Sequence, residues 1–253
     1  MRLSLTALAA ALALSACGES KKVGEPGFIT GFVGGVAADE PRAALVGRDI
    51  LGRGGSAADA ATAMFFTLTV TKPSMASLGA VGGCVHFAAD SEEFLAYDFM
   101  PRPAQQSASG RPRIAPPAAV RGMAAMQARY GQMPWAELVG PAEALARFGH
   151  AVSRSLATDI EARAGELAKS PSMVAIFGRP GGRFVKEGDQ IQQLELSAAL
   201  SSIRQRGAGA IFSGPLARQY ADAVAAIGGD LPIETLRAYT PRAIPAIERP
   251  AGN

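Results

Sequence analysis

Apolar residues recur with the period of a helix in the first well-patterned stretch of the chain. Four of them fall on one face of that helix: Ala43, Val46, Ile50 and Leu51. Asp39 stands before this face, and Pro41 fits the first turn, so the pattern predicts a helix that Asp39 caps. The pair Gly54-Gly55 predicts its end.

A second helix is predicted directly after those glycines. Ser56 and Asp59 stand three residues apart, which is typical of a capping box. The helix then runs from Ala57 to about Val70 with almost no polar face. A helix of this kind belongs in the centre of a core, so we expect it to be buried.

Three stretches predict strands. The glycine-studded run from Phe28 to Ala38 is apolar and predicts a buried strand that begins the fold. Two β-rich segments, Cys84–Ala88 and Phe94–Phe99, flank the polar sequence ADSEE. That arrangement predicts a hairpin.

Helices dominate the rest of the chain. Residues 101 to 118 hold several prolines and predict a loop. Beyond them the pattern predicts helices over Val120–Tyr130, Pro134–Phe148, Arg154–Leu167, Leu194–Arg206, Pro215–Ile227 and Ile233–Tyr239. Together with the strands, they indicate an α/β protein that is rich in helix.

The first residues predict export and a lipid anchor. Met1-Arg2 precedes an apolar run from Leu3 to Leu14, which is shorter than the roughly 20 residues that cross a bilayer. The following Leu14-Ser15-Ala16-Cys17 resembles the bacterial lipobox, in which the Cys carries lipid and the chain is cut before it. The alternative is an ordinary signal peptide with an incidental cysteine.

The lipobox defines three regions. Residues 1–16 are a lipoprotein signal peptide, residues 17–27 hold the lipidated Cys17 and a polar tether, and residues 28–253 form one domain. Gly18 follows the cysteine where an Asp would favour the inner membrane. We therefore expect a periplasm-facing lipoprotein on the bacterial membrane, in the outer rather than the inner one.

Charge and cysteine content exclude some kinds of partner. The chain has 25 Lys and Arg residues against 22 Asp and Glu residues, with no basic cluster, so nucleic acid is not an expected partner. Beside Cys17 there is only one other cysteine, Cys84, which therefore cannot form an intrachain disulfide. We expect Cys84 to be a small buried residue.

The motifs for common cofactors and metals are missing. The Gly-rich sequence GRGGSA at 52–57 lacks the Lys and Ser/Thr of a phosphate-binding loop, and we interpret it as the turn between two helices. The two histidines, His86 and His150, have no companions at metal-ligand spacing, and no G-x-S-x-G elbow occurs. Trp135 is interpreted as a packing anchor. We expect no metal and no cofactor.

Several segments follow one another in an order that carries more information than any one of them. A Gly-Gly turn, an AADAA helix, a KPS turn, the run GAVGG and the hairpin come first. The sequence YGQMPW, the sequence GHAVS before the helix predicted from Arg154, and the segments GDQIQQLEL and GGDLPIETLRAY come later. Over about residues 30 to 242 this order resembles the N-terminal, large-subunit part of the γ-glutamyltransferase family.

The resemblance implies a fold and a chemistry. The family has the α/β/β/α sandwich of N-terminal-nucleophile hydrolases, of which this chain would hold the helix-rich N-terminal part. Its precursor cuts itself into a large and a small subunit, and the new N-terminal Thr attacks the γ-glutamyl amide of glutathione or a related compound. The freed α-amine assists, because a Thr hydroxyl is a weak nucleophile without an adjacent base.

This sequence departs from the family in its nucleophile. The family's processing site resembles Thr-Thr-His, and no Thr-Thr pair occurs here; Thr235 and Thr240 lie in segments that resemble non-catalytic parts. We therefore expect the chain to be inactive alone and to need a Thr-bearing small subunit or C-terminal remainder as its partner. The alternative is a degenerate, non-catalytic lipoprotein that uses the scaffold for binding.

The second departure concerns substrate binding. The family's D-x-R-E-x-A-P segment carries an Arg that binds the α-carboxylate of the glutamyl group. Here the segment reads DFMPRPA, so Met100 stands at the Arg position and Arg102 follows two residues later. Arg102 is the substrate-binding candidate that the resemblance implies, with an exposed loop Arg as the alternative. Arg111 and Arg113 are further cations in the same loop.

Overall fold

The computed structural model describes residues 34–101, 110–247 and 249. Besides a short 3-10 helix at Ala208–Ile211, this part has ten α-helices: α1 Pro41–Gly52, α2 Ala57–Thr71, α3 Ala119–Tyr130, α4 Trp135–Phe148, α5 Arg154–Ala162, α6 Ala164–Leu167, α7 Pro171–Phe177, α8 Leu194–Arg206, α9 Gly214–Ala226 and α10 Ile233–Ala238. Its seven strands are β1 Gly82–Ala88, β2 Glu93–Phe99, β3 His150–Ala151, β4 Gly178–Arg179, β5 Arg183–Phe184, β6 Gln190–Ile191 and β7 Arg242–Pro245.

The first helix begins one residue later than the sequence suggested. Glu40, not Asp39, is the N-cap, and its buried carboxylate accepts a hydrogen bond of 3.1 Å from the Ala43 amide. The end of α1 lies at the predicted glycines, where Gly54 adopts a φ of 85° that glycine tolerates best. The prediction of Asp39 as the cap is wrong because the longer Glu side chain, one residue nearer the helix, reaches the same amide.

The central helix α2 confirms its predicted start and burial. The capping box between Ser56 and Asp59 is formed, and Phe66 and Val70 are fully buried in the largest core cluster. Buried threonines on this helix, such as Thr62 and Thr67, donate their hydroxyl protons to the carbonyl four residues back, at 2.7 and 2.8 Å. Those bonds satisfy polar groups that could not otherwise be buried without cost.

A three-stranded antiparallel sheet, in the order β1-β2-β7, packs on α3. The predicted hairpin is confirmed, with Gly82 opposite Phe99 and Ala88 opposite Glu93. The third strand, β7, was not predicted; it pairs Asp98 with Arg242 and Leu95 with Pro245. Two further sheets, β3-β6 and β4-β5, have only two short strands each.

Two other expectations need correction. The described part of the first predicted strand, Gly34–Ala38, is not a strand, because its Val36 packs against the apolar residues of α1 instead. The helix predicted over Arg154–Leu167 is interrupted at Arg163, where φ is −114° and ψ is 10°. The short helix α7 was not predicted. Among the described residues no helix has the length and apolarity that would let it cross a membrane.

Candidate functional site

The candidate site lies where β1 begins and β2 ends, since the family's substrate-binding segment would follow β2. The glycine run GAVGG leads into β1, next to the end of β2. There the Ala119 amide at the start of α3 donates a hydrogen bond of 2.9 Å to the Ala80 carbonyl. A Cβ on Gly122 of α3 would stand 2.3 Å from the Phe99 ring. This close approach lets Phe99 lie against α3 and fixes the end of β2.

Asp98 holds the backbone that follows β2. Its Oδ1 accepts a hydrogen bond of 2.9 Å from the Met100 amide, and its Oδ2 forms an ion pair with the Arg242 guanidinium on β7. Asp98 and Arg242 are direct partners in the antiparallel register. The charged cross-strand pair is therefore linked to the backbone of Met100, the residue that the sequence resemblance aligns with the family's substrate-binding Arg.

A cleft of about 360 Å³ opens beside the residue that precedes Arg102. Pro101 forms one wall, and Arg113, Asp230, Thr235 and Tyr239 lie around it. The Arg113 Nε lies 3.8 Å from the Asp230 carboxylate, and the two residues also form a parallel backbone bridge. The remaining walls are mostly apolar, so the cleft combines one partly exposed cation with a hydrophobic lining.

Arg121 of α3 stabilises the segment that leads from this cleft to β7. Its guanidinium donates to the carbonyls of Arg237, at 3.2 Å, and of Tyr239 at the end of α10. The guanidinium also stacks on the Phe212 ring, with the Arg121 Cζ 3.9 Å from the ring centroid. A cation at the carboxyl end of a helix meets unpaired carbonyls and the negative end of the helix dipole.

The two faces of the three-stranded sheet differ in what covers them. Cys84, Tyr97 and Phe99 point toward α3 on the inner face. The outer face is apolar and exposed, and its large side chains are Val85, Phe87, Phe94 and Ile244, which are 64, 48, 39 and 43% exposed. Phe87 and Phe94 lie 4.5 Å apart between ring centroids. Asp98 and Arg242 share the parity of this outer face, so they lie at its rim.

Both site residues predicted from the sequence, Arg102 and Cys17, lie outside the described residues. The structure does place the two residues that precede Arg102: Met100 is 57% exposed, and Pro101 lines the cleft. Of the two further cations, Arg113 also lines the cleft, whereas Arg111 is exposed. The pairing of Asp98 with Arg242 was missed, because the register of β7 on β2 cannot be read from the local sequence.

The histidines and the cysteine behave as packing groups. His86 stacks on Tyr130 with 3.9 Å between ring centroids, and burial together with the charge of Arg129 lowers the pKa of its imidazole. Burial also lowers the pKa of His150, whose Nδ1 lies 3.1 Å from the Ala151 carbonyl. The Cys84 thiol is half-buried rather than fully buried, and burial raises its pKa, which disfavours a reactive thiolate.

Trp135 is confirmed as a packing anchor. Its ring meets Phe66 edge-on at 5.4 Å, and its indole N–H donates to the Ile203 carbonyl at 3.0 Å. In residues 34–101 and 110–247, no three His, Cys, Asp or Glu side chains come together in a way that could hold a metal ion.

The AADAA helix contributes a structural carboxylate rather than a catalytic one. Asp59 is fully buried and accepts hydrogen bonds from the amides of Ser56, Gln132 and Met133, at 2.9, 2.7 and 3.2 Å. The Gln127 side chain donates to its other oxygen at 3.2 Å. Burial favours the neutral carboxyl, but the bonds from Gln132, Ser56 and Gln127 outweigh it, so the pKa of Asp59 lies below its ordinary value.

The helix layer against one face of a sheet, with the other face exposed, defines the class of this protein. It is the helix-rich part of an α/β fold of the N-terminal-nucleophile hydrolase type. The crystal structure of Helicobacter pylori gamma-glutamyltranspeptidase superposes with a TM-score of 0.76 and 28% identity, over 86% of this chain and 67% of that one. The fold class expected from the sequence is thereby confirmed.

The chain belongs to the gamma-glutamyltranspeptidase family, whose sequence model matches residues 43–252. It is 32% identical over 223 residues to the acylase ACY 1 proenzyme of Pseudomonas sp. (strain SE83), covering 79% of this chain and 40% of that protein. It is also 32% identical over 224 residues to the glutathione hydrolase proenzyme of Escherichia coli (strain K12), covering 81% and 38%. The chain thus spans about two fifths of the length of these relatives.

Proposed function

We propose that this chain is the large-subunit portion of a γ-glutamyltransferase-like hydrolase, which cleaves and transfers the γ-glutamyl group of glutathione or a related compound. The reacting Thr comes from a small subunit or C-terminal remainder, and the chain is inactive without it. The exposed apolar face around Val85, Phe87, Phe94 and Ile244 carries this proposal. A second sheet from the Thr-bearing polypeptide covers that face, because uncovered apolar patches of this kind mark interaction surfaces.

The position of the substrate loop supports the same arrangement. Met100 follows the last residue of β2, and Asp98 near that end lies at the rim of the apolar outer face that the partner would cover. Arg102 then binds the α-carboxylate of the substrate through its planar donor fork. The Escherichia coli relative is a glutathione hydrolase proenzyme by name, which favours a γ-glutamyl substrate here.

Reconstitution of activity tests this proposal. The full chain is co-expressed with a candidate Thr-bearing polypeptide from the same organism, and glutamate release from glutathione and from a γ-glutamyl anilide is measured. We expect turnover by the complex and none by the chain alone, because the nucleophile belongs to the partner. A partner whose Thr is replaced by Ala is the control, and it should bind without turnover.

The role of the outer face is tested by a matched pair of substitutions. Phe87→Asp places a charge in the apolar face, whereas Phe148→Asp changes an equally large residue that is 79% exposed at the end of α4. Burial of a Phe side chain is worth about 1.5–3 kcal/mol, so Phe87→Asp should weaken the complex at least about tenfold. Phe148→Asp should leave it intact. A complex that forms without γ-glutamyl turnover would instead favour the degenerate, non-catalytic scaffold.

We further propose that Cys17 carries the lipid anchor and that the protein faces the periplasm from the bacterial outer membrane. Leu14-Ser15-Ala16-Cys17 supports this location. Cys17→Ser should abolish labelling with radioactive palmitate and move the protein from the membrane fraction to the supernatant, since several acyl chains give stable anchoring. Cys84→Ser is the matched control and should keep both the label and the membrane location. An unlabelled wild-type protein would exclude the lipobox interpretation.

A further inference from the structure

Another cleft, of about 460 Å³, lies between the turn that follows α2 and the helices α5, α6 and α7. Its apolar walls are formed by Met75, Leu156, Ile160, Leu167, Met173 and Phe177. Leu156, Ile160 and Phe177 are buried, whereas Met75 is 64% exposed. The cleft beside Pro101 shares none of these residues. A space of this size with largely apolar walls is typical of a site for a small molecule.

An oriented carboxylate lines this cleft. The Asp159 Oδ2 on α5 accepts a hydrogen bond of 2.6 Å from the Ser74 hydroxyl and lies 3.4 Å from the Lys72 Nζ. The Lys72 side chain is only 9% exposed, and its Nζ also donates to the Ser155 hydroxyl. Within the described part of the chain, no donor is found for the other oxygen, Oδ1. Asp159 is therefore held through one oxygen, and the second is available to a ligand.

A guanidinium lines the same cleft one helical turn after Asp159. Arg163 directly follows the last residue of α5, and its Nη1 lies 3.1 Å from the Glu166 carboxylate. The two side chains of this pair are 68% and 69% exposed, so water screens their attraction and the Arg changes partner at little cost. The cleft thus presents a carboxylate, a guanidinium and an apolar wall to one small volume.

We propose that this cleft binds a free α-amino acid with a large apolar side chain, such as leucine. The Asp159 Oδ1 accepts a hydrogen bond from the ammonium group, and the Arg163 guanidinium binds the carboxylate through parallel N–H donors. The apolar side chain packs among Leu156, Ile160 and Met173, and its burial supplies affinity. A zwitterion is favoured because a simple amine or a simple acid leaves one of the two protein charges without a partner.

Binding to the full chain tests the inference without any need for turnover. Methionine methyl groups are labelled with carbon-13, and L-leucine is titrated in an NMR experiment. We expect a saturable shift of the Met173 signal and little change at Met126, which lies in the core cluster between the sheet and α3. Glycine should bind at least about tenfold more weakly, because it has no side chain to bury. No saturable shift at Met173 with leucine, or equal affinity for glycine, would overturn the inference.

Two analogues and two variants assign the charged ends of the ligand. Leucinamide and N-acetyl-leucine should each bind the wild type at least about tenfold more weakly than leucine, since each loses one charge-assisted contact. Arg163→Gln should bind leucine no better than leucinamide, and Asp159→Asn should bind leucine no better than N-acetyl-leucine. Leucinamide and N-acetyl-leucine that both bind the wild type as tightly as leucine would reject a site for a zwitterion.

A third variant controls for changes elsewhere on the same helix. Arg154 is also an Arg of α5 with a carboxylate partner, Glu187 at 3.0 Å, but it does not line the cleft. Arg154→Gln should therefore bind leucine like the wild type. Circular dichroism checks that Asp159→Asn is folded; if it is not, the exposed Arg163 still decides the test. Arg163→Gln that binds leucine as tightly as the wild type would overturn the inference, whether or not the complex turns over γ-glutamyl substrates.

Discussion

Replacement of Asp59 by Ala is expected to lower the free energy of unfolding by about 4 kcal/mol, because each buried donor that it leaves unpaired costs about 1–3 kcal/mol. The carboxylate joins the start of α2 to the turn between α3 and α4 through the amides of Gln132 and Met133. The methyl side chain of Ala cannot accept these hydrogen bonds. Urea denaturation followed by circular dichroism measures the change.

Two variants calibrate this result. Asp59→Asn keeps one carbonyl oxygen for the main-chain amides but presents an amino group to the Gln127 side chain, so about half of the loss is expected. Asp222→Ala removes a carboxylate from an exposed position on α9 and should change stability by less than about 0.5 kcal/mol. A loss below about 1 kcal/mol in Asp59→Ala would contradict the structural role of Asp59.

The same residue predicts a pH dependence. The pKa of Asp59 is lower in the folded chain than its ordinary value, so the folded state binds this proton less readily than the unfolded state does. The stabilisation is therefore complete above about pH 4, the ordinary value for an Asp carboxyl, and is lost as the pH falls toward the folded pKa. Asp59→Ala should flatten this acid limb of the stability curve, and an unchanged limb would contradict the assignment.

Arg102→Ala is expected to lower kcat/KM for γ-glutamyl substrates by about ten- to a hundredfold in the reconstituted complex. A charge-assisted contact to a carboxylate is worth roughly 1.5–3 kcal/mol, and each 1.4 kcal/mol corresponds to a factor of ten. Pro101 and Pro103 flank Arg102 and restrict its backbone, so little entropy is lost when it binds. Arg102→Lys keeps the charge without the planar fork and should lie between Ala and wild type.

Two arginines further along the chain serve as controls for Arg102: one as a neutral control variant, and one as a competing candidate for the residue that binds the substrate carboxylate. Arg111 is exposed in the same loop, and Arg111→Ala should leave kcat/KM unchanged. Arg113 lines the cleft beside Pro101, where its partner Asp230 lies 3.8 Å away. If Arg113→Ala lowers kcat/KM and Arg102→Ala does not, the carboxylate anchor is Arg113. Unchanged kinetics in all three variants would favour a substrate without a free α-carboxylate.

Local sequence patterns predicted the elements whose stabilising contacts lie within a few residues. The capping box of Ser56 and Asp59 closes over three residues, and the β1-β2 hairpin closes over the short turn between Ala88 and Glu93. Both were predicted for this reason. The sequence could not assign the remaining partners of Asp59, because Gln132 and Met133 come to it only when α3 packs against α2.

Patterns failed where tertiary packing replaced the expected local partner. Val36 belongs to an apolar run that is typical of a buried strand, yet it packs on α1, since a helix face satisfies an apolar side chain as well as a sheet does. The helix predicted across Arg163 breaks there. The segment Arg242–Pro245 is short and all four of its residues are exposed, with no periodicity that would mark it as a strand.

By itself, the sequence determined the family, the central buried helix and the hairpin, because the order of its segments and their caps and turns are local properties of the chain. Tertiary structure alone decided that β7 joins the sheet, which face of that sheet is left exposed, and that Arg242 meets Asp98 beside Met100. The physical reason is sequence separation: Asp98 and Arg242 are 144 residues apart, and only the packing of α3 and α10 fixes the register that brings them together.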